Sequence, residues 1–364
     1  MGILDVLDCI HALLLVAYPE LLQEGYVKTH KRLSMTELQA IGIDFSAQHI
    51  AGLVHGGDLW YRGDRESTLY EIVSSGFRVG LSTPKSSHNV SHNTQTPHLH
   101  HMRVHHRIAV FDILPGDQTP DGPVPEWRIT NVVSQTDILR LLASHMGVLA
   151  VKDSAMGASL LDLGMVQGRD HMATVTADTP ALSVLVKMHR EKLSGVGVVG
   201  GEGGKLLANL SASDVRGLLP EKFGALALPV GTFLLLMHEQ HVHRGGSSSS
   251  SSSKDRGHAH GITYEDALLD TLPPAVQEGG RWEEALEGLP PLLWCPPTAT
   301  LRQCIELLVR QGKHRVYVCD EGGVGVGVVT PTDVLRAVVL NGNSMSATAT
   351  AAAMVSNSTA DLRV

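Results

Sequence analysis

Aromatic residues make up only 4% of this 364-residue chain, so a hydrophobic core has to be built from Val, Leu, Ala and Ile rather than from rings. Cysteine is scarce as well. Its four copies, Cys9, Cys295, Cys304 and Cys319, lie far apart with no C-x-x-C pair, which points to reduced thiols rather than a zinc site or a disulfide framework. No run of 18 apolar residues occurs, so no membrane-spanning helix is expected. Basic charge is not in excess. The net charge is −8 with both signs interspersed, which argues against a nucleic-acid surface held by a basic field. Residues 1–22 are apolar, but they lack a basic leader and are interrupted by Asp5 and Asp8, so no signal peptide is expected. Position 6 is Val rather than Ser or Thr, so the myristoylation pattern fails too. The expected location is cytoplasm or nucleus.

What the chain does contain is a recurring unit. Gly327-Val-Val-Thr-Pro-Thr-Asp333-Val-Leu-Arg reads as a short buried strand turning sharply into a helix. Its Val residues suit a strand, Thr330 suits a helix cap, Pro331 suits a first turn, and Asp333 suits the free N–H groups there. Asn131-Val-Val-Ser134-Gln-Thr-Asp137-Ile-Leu-Arg140 is a second copy, and Ala208-Asn-Leu-Ser211-Ala-Ser-Asp214 a third. A weaker fourth copy, Gly2-Ile-Leu-Asp5-Val-Leu-Asp8, opens the chain. One such capping box would only start a helix. Four copies mean a repeated supersecondary unit, and their unequal separations (129, 77 and 119 residues between the Asp positions) exclude a solenoid of fixed period.

The chain then divides as follows. Residues 1–22 are the remnant of a first module, a strand tail and an amphipathic helix, and 23–45 a mixed connector. A second module covers 46–147, with a strand over 50–60, a short helix capped by Ser67, and an insert over 81–104 rich in Ser, Asn, Thr and His. A third covers 165–237 in the order β-α-β-β-α. Residues 238–290 form a flexible linker that includes Ser247 to Ser253. The fourth module, 291–340, is compact, and the tail 341–364 is expected to be disordered. The turn Gly200-Gly-Glu-Gly-Gly204 is a hairpin turn and not a phosphate loop, because the Gly-Lys-Ser/Thr ending is missing. The clustered histidines, His88 to His106 and His238 to His260, have no cysteine or acidic partner that would fix a metal geometry, so no metal is expected. No Ser/His/Asp or Cys/His constellation stands out, and no enzyme is expected.

Four stretches together resemble cystathionine-β-synthase (CBS) domains, in the arrangement of the γ-type regulatory subunits of AMP-activated and sucrose-non-fermenting protein kinases, with the plant-type γ-like subunits most similar. They are Lys313-His-Arg-Val-Tyr-Val-Cys-Asp320, Gly327-Val-Val-Thr-Pro-Thr-Asp333, His106-Arg-Ile-Ala-Val110 and Thr174-Val-Thr-Ala-Asp-Thr-Pro180. The resemblance implies an α/β fold of tandem CBS domains paired into two Bateman modules, the first incomplete. It implies no cofactor, but AMP, ADP or ATP as a regulatory ligand between the third and fourth modules. The partners it implies are a kinase catalytic subunit and a β-type scaffold subunit.

The resemblance assigns roles to particular residues. Asp333 and Asp214 would accept hydrogen bonds from ribose hydroxyls, with Ser211 beside the latter. Thr330 and Thr332 would place hydroxyls at a helix N-terminus that favours phosphate. His314 and Arg315 would meet that phosphate, arginine as a permanently charged fork. Ser194 and Ala173 match contacts on the facing module, Ala173 through its backbone to the base. His106, Arg107, Ser134 and Asp137 repeat part of the pattern as a possible second site. Two departures weigh against a full set of sites: Ser194-Gly195 replaces His-Arg in the third module, and the first module lacks its base-binding strand. The alternative reading is a CBS scaffold that binds no nucleotide, with each Asp acting only as a helix cap.

Overall fold

The repeated capping residues do start helical turns. In the computed structural model, Ser134 and Ser211 end a strand, Thr330 follows one directly, and each shares hydrogen bonds with the acidic residue three positions on. The structure describes residues 6–17, 33–47, 62–63, 66–77, 106–114, 118–119, 122–123, 126–147, 154–166, 168–201, 204–216, 218–245 and 281–339. The strand expected over 50–60, the insert 81–104 and the tail 341–364 lie outside these residues.

The described helices are α1 (Val6–Ala17), α2 (Met35–Ser46), α3 (Gln135–Ser144), α4 (Ala181–Arg190), α5 (Val230–Gly245), α6 (Leu301–Gln311) and α7 (331–339). The strands are β1 (Arg62–Gly63), β2 (Arg107–Leu114), β3 (Gln118–Thr119), β4 (Gly122–Pro123), β5 (Glu126–Ser134), β6 (Thr174–Thr176), β7 (Gly195–Val199), β8 (Leu206–Ser211), β9 (Trp294–Cys295), β10 (Val316–Cys319) and β11 (Gly325–Val329). Three three-stranded sheets share one plan: β1-β2-β5, β6-β7-β8 and β9-β10-β11. In each, the first strand runs parallel to the central one, as a crossover connection requires. The fourth module thus realises the β-α-β-β-α order read from the sequence, and the third realises its β-α-β-β part, with a 3-10 turn in place of the helix after Ser211. The fold is α/β, built of tandem units of this kind.

The chain falls into two units. The first gathers residues 1–58, 168–292 and 320–325. Its core joins Ile10, Leu13 and Leu14 of α1 and Leu38 of α2 to Leu185, Met188, Val198 and Leu210 of the third module, and to Phe233 of α5. The second gathers residues 59–167, 293–319 and 326–364. Its core joins Ile138 and Leu139 of α3 to Leu301, Cys304, Ile305 and Leu308 of α6 and to Val316, Val318 and Val329. The buried side chains of α6 recur at i, i+3, i+4 and i+7, the stripe that a helix needs to cover a sheet. A left-handed Gly312 (φ 58°) ends that helix.

Several local expectations change. The connector 23–45 contains α2, started by a capping box of Ser34 and Glu37. The short helix near residue 70 is capped by Thr68 rather than Ser67, because Thr68 pairs with Glu71 three positions on. The helix after Ser211 is a single 3-10 turn, Ala212–Val215. α5 continues to Gly245, and residues 281–289 are folded: Trp282 donates from Nε1 to Asp178 Oδ1 at 2.8 Å, and Leu286 is buried in the first unit's core. The 281–289 end of the segment read as a linker is held by packing that composition does not reveal.

Candidate functional site

In the second unit, two strand–cap–helix units meet at their helix starts. At the fourth module, Thr330 donates to Asp333 Oδ2 from its backbone N at 3.0 Å and from its hydroxyl at 2.6 Å. The other carboxylate oxygen, Oδ1, accepts from Arg336 Nη1 at 3.2 Å. The second module repeats this geometry. Ser134 donates to Asp137 Oδ2 at 2.9 Å and 2.7 Å, and Arg140 Nη1 donates to Oδ1 at 2.9 Å. The Ser134 hydroxyl and then its backbone N–H hold the Asp137 carboxyl below the usual carboxylate range, with Arg140 adding to them and burial opposing.

The two boxes are tied across the modules by the residues between cap and acid. Thr332 Oγ1 donates to Gln135 Oε1 at 2.9 Å, and Gln135 is only 3% exposed. Thr136 Oγ1 lies 3.5 Å from His314 Nδ1. His314 itself is exposed and Arg315 is half-buried at the start of β10. His106 lends its backbone: its carbonyl accepts the Gln135 N–H at 3.1 Å. Arg107 is exposed and opposite Ser134 in the β2–β5 ladder. His314, Thr330, Thr332, Asp333, Ser134 and Asp137 therefore gather around two adjoining helix N-termini.

The other four candidates lie in the first unit. Ser211 donates to Asp214 Oδ2 at 2.6 Å from its backbone and 2.7 Å from its hydroxyl. Ser194 uses its carbonyl to accept the Ala212 N–H at 3.0 Å, and the Ala173 carbonyl accepts the Gly197 N–H at 3.0 Å. These four residues belong to the first unit, whereas His314, Arg315, Thr330, Thr332 and Asp333 belong to the second. Asp8, the acid of the first module's weak copy, sits in α1 and is 8% exposed.

Chemically, all three capping carboxylates already hold their own helix starts. Each oxygen of a carboxylate can accept two hydrogen bonds, so Asp333 and Asp137 retain acceptor capacity for a further hydroxyl. Two adjoining helix N-termini carry partial positive charge, and the hydroxyls of Thr136 and Thr332 stand beside them. Among the described residues no group of three or more His, Cys, Asp or Glu side chains could hold a metal ion. The sequence reading missed Gln135, Thr136, Arg140 and Arg336. The signal was present for Thr136, because aligning Ser134-Gln135-Thr136-Asp137 on Thr330-Pro331-Thr332-Asp333 places it at the position of Thr332.

The CBS domain profile matches residues 288–340. The SNF1-related protein kinase regulatory subunit gamma-1 of Arabidopsis thaliana is 23% identical over 215 residues, which is 58% of this chain and 42% of that protein. The chain thus spans less than half the length of that relative. Among solved structures, protein MJ1225 of Methanocaldococcus jannaschii superposes with a TM-score of 0.47 at 12% identity, covering 92% of this chain and 82% of that one. CBSX2 in complex with AMP superposes with a TM-score of 0.29 at 16% identity, covering 50% and 98%. Residues 288–340 thus match a CBS domain, the strand–cap–helix unit of that module is repeated upstream, and the chain resembles the γ-type regulatory subunits of SNF1-related protein kinases.

Proposed function

We propose that this chain is a non-catalytic regulatory subunit that senses an adenine nucleotide and acts on a Ser/Thr protein kinase through its catalytic subunit and a β-type scaffold. The single observation that carries the ligand reading is the junction of the Ser134–Asp137 and Thr330–Asp333 boxes, with Thr332 bonded to Gln135. Two helix N-termini with flanking hydroxyls favour phosphate, and His314 and Arg315 supply donors beside them. Asp333 keeps lone pairs for ribose hydroxyls. Ala173, Ser194, Ser211 and Asp214 offer the third module's share of the same chemistry. The kinase partnership rests on likeness to the Arabidopsis regulatory subunit.

Isothermal titration of the full chain with AMP, ADP and ATP tests the reading. Heat of binding is expected for at least one nucleotide and is expected to vanish in Arg315→Ala. No heat for any of them, in folded protein, ends it. A scaffold without ligand is the second reading, favoured by the fact that each capping carboxylate already accepts two hydrogen bonds from its own capping residue. Capture of a kinase that is unchanged by nucleotide, by Asp333→Ala and by Arg315→Ala would support that second reading.

A further inference from the structure

The packing of α1 on α4 contains a pair of side chains that the nucleotide reading does not use. His11 lies in the middle of α1 and His189 in the last turn of α4. Their Nδ1 atoms are 3.3 Å apart, with ring centroids 4.7 Å apart and planes 34° from parallel. Both rings are half-buried, beside a core made of Ile10, Leu14, Leu185 and Met188. Nitrogens at this distance share one hydrogen: one Nδ1 donates and the other accepts. A neutral pair meets that demand, and so does a pair with one extra proton. A doubly protonated pair does not, because two N–H groups would then face each other with two positive charges at contact distance.

The charged surroundings come from every element packed on these two helices. On α1 the acid is Asp8, one turn before His11 and buried. On and just beyond α4, Lys187 pairs with Glu191 at 2.9 Å, and Arg190 is exposed. α2 brings Glu37, held by Ser34, and the exposed Asp44. The 3-10 turn after β8 brings Asp214, held by Ser211. The segment Pro220–Ala227 brings Lys222, and α5 brings His238 and Glu239. β7 brings no charge. Glu37, Asp214 and Glu191 thus already serve a cap or an ion pair.

We propose that His11 and His189 form an acid-released latch that holds the first module's helix to the third module within the first unit. The two imidazoles titrate as one coupled system. The first proton is shared between the rings, and the second parts them. Separated rings accept that second proton near the ordinary histidine value of about 6.5, more readily than paired rings do. Falling pH therefore draws the equilibrium toward a released α1, and the latch is closed above that range. This inference is independent of nucleotide binding.

Hydrogen–deuterium exchange of α1 amides in the full chain tests it, at pH 7.5 and pH 5.5 with correction for intrinsic exchange. Protection of α1 in the wild type is expected to fall about tenfold or more at the lower pH, the equivalent of one unit of displaced titration. In His11→Phe and His189→Phe, which keep a ring but remove the second charge, it is expected to change much less. Protection that does not depend on pH in the wild type, or an equal loss in both variants, overturns the proposal. Should either variant fail to fold, the proton-NMR titration of the wild-type rings decides: two coupled steps support the latch, and two independent single steps near 6.5 overturn it.

Discussion

Thr332 and Gln135 are separated by 197 positions in the sequence, yet the hydroxyl of one donates to the side-chain carbonyl of the other at 2.9 Å. Each stands in the first turn of a helix that opens with a capping box. The bond therefore joins the repeated unit of the second module to that of the fourth inside one unit of the molecule. Thr332→Val would leave the buried Gln135 carbonyl without that donor. The expected cost is about 1–3 kcal/mol, read as a lower urea midpoint. Thr332→Val combined with Gln135→Leu is expected to recover part of it, since the apolar pair no longer leaves that carbonyl without its donor.

The capping carboxylates make a pH-dependent contribution. Asp137 is held below the ordinary carboxylate range by Ser134 and Arg140, so its folded form binds the proton less readily than the unfolded chain does. Its contribution is present above the ordinary value of about 3.9 and is lost as pH falls toward the lower folded value. Asp137→Asn is expected to remove this dependence and to cost about 0.3–1 kcal/mol at neutral pH, the usual worth of an acid in a helix's first turn. Arg140 and Asp137 are both substantially exposed, so their ion pair adds little by itself. Unfolding curves at pH 7 and pH 3.5 for both proteins check the point.

Thr232 in α5 is 2% exposed, and among the described residues its hydroxyl has no hydrogen-bond partner. Removing that hydroxyl is expected to stabilise the protein. Thr232→Val should raise stability by about 1 kcal/mol, visible as a higher thermal midpoint. A lower midpoint would mean that the hydroxyl has a partner, such as a bound water.

Trp282 lies against Gly231, where a Cβ would collide with its ring, and it is anchored by the bond to Asp178. Alanine is the better helix former by about 1 kcal/mol, so propensity alone predicts that Gly231→Ala stabilises α5. The collision reverses the sign, because the ring has to leave its seat. Gly231→Ala is expected to destabilise by about 1–3 kcal/mol and to shift the Trp282 fluorescence to longer wavelength. Asp178→Ala, which removes only the anchor, is expected to do less.

The cysteines should react in a definite order. Cys295 and Cys304 are buried and share a hydrogen bond. That bond, then burial, and then the charges of Cys295 and Asp333 push the Cys304 thiol far up. Cys9 is half-buried. Alkylation of the native protein at pH 8, followed by peptide mass mapping, is expected to label Cys9 first and Cys304 last, because the thiolate is the reactive form.

The repeated unit was legible because it is local. A cap, an acid three positions on and an adjoining β-branched strand lie within seven residues, so Ser134–Asp137, Ser211–Asp214 and Thr330–Asp333 could be recognised with no knowledge of their neighbours. The order β-α-β-β-α in the fourth module, and its β-α-β-β part in the third, followed from the same short-range rules. The α2 helix was harder: its Ser34–Glu37 box lies in a stretch with weak apolar periodicity, and packing on the segment Pro220–Ala227 supports it. Trp282 and Leu286 were read as linker because they follow a low-complexity run, whereas their contacts are with Asp178 and the first unit's core.

Sequence alone thus determined the modules, their capped helix starts and the residue types offered there, since each depends on a few successive dihedral angles and their nearest hydrogen bonds. Tertiary structure alone decided that Thr332 meets Gln135, that His11 meets His189, and that the carboxylates of Asp137 and Asp333 are each shared with an arginine one turn on. The reason lies in the packing. Pairings across 178 or 197 positions arise from burying the apolar faces of α1, α3, α4 and α6, and no local pattern states which faces will meet.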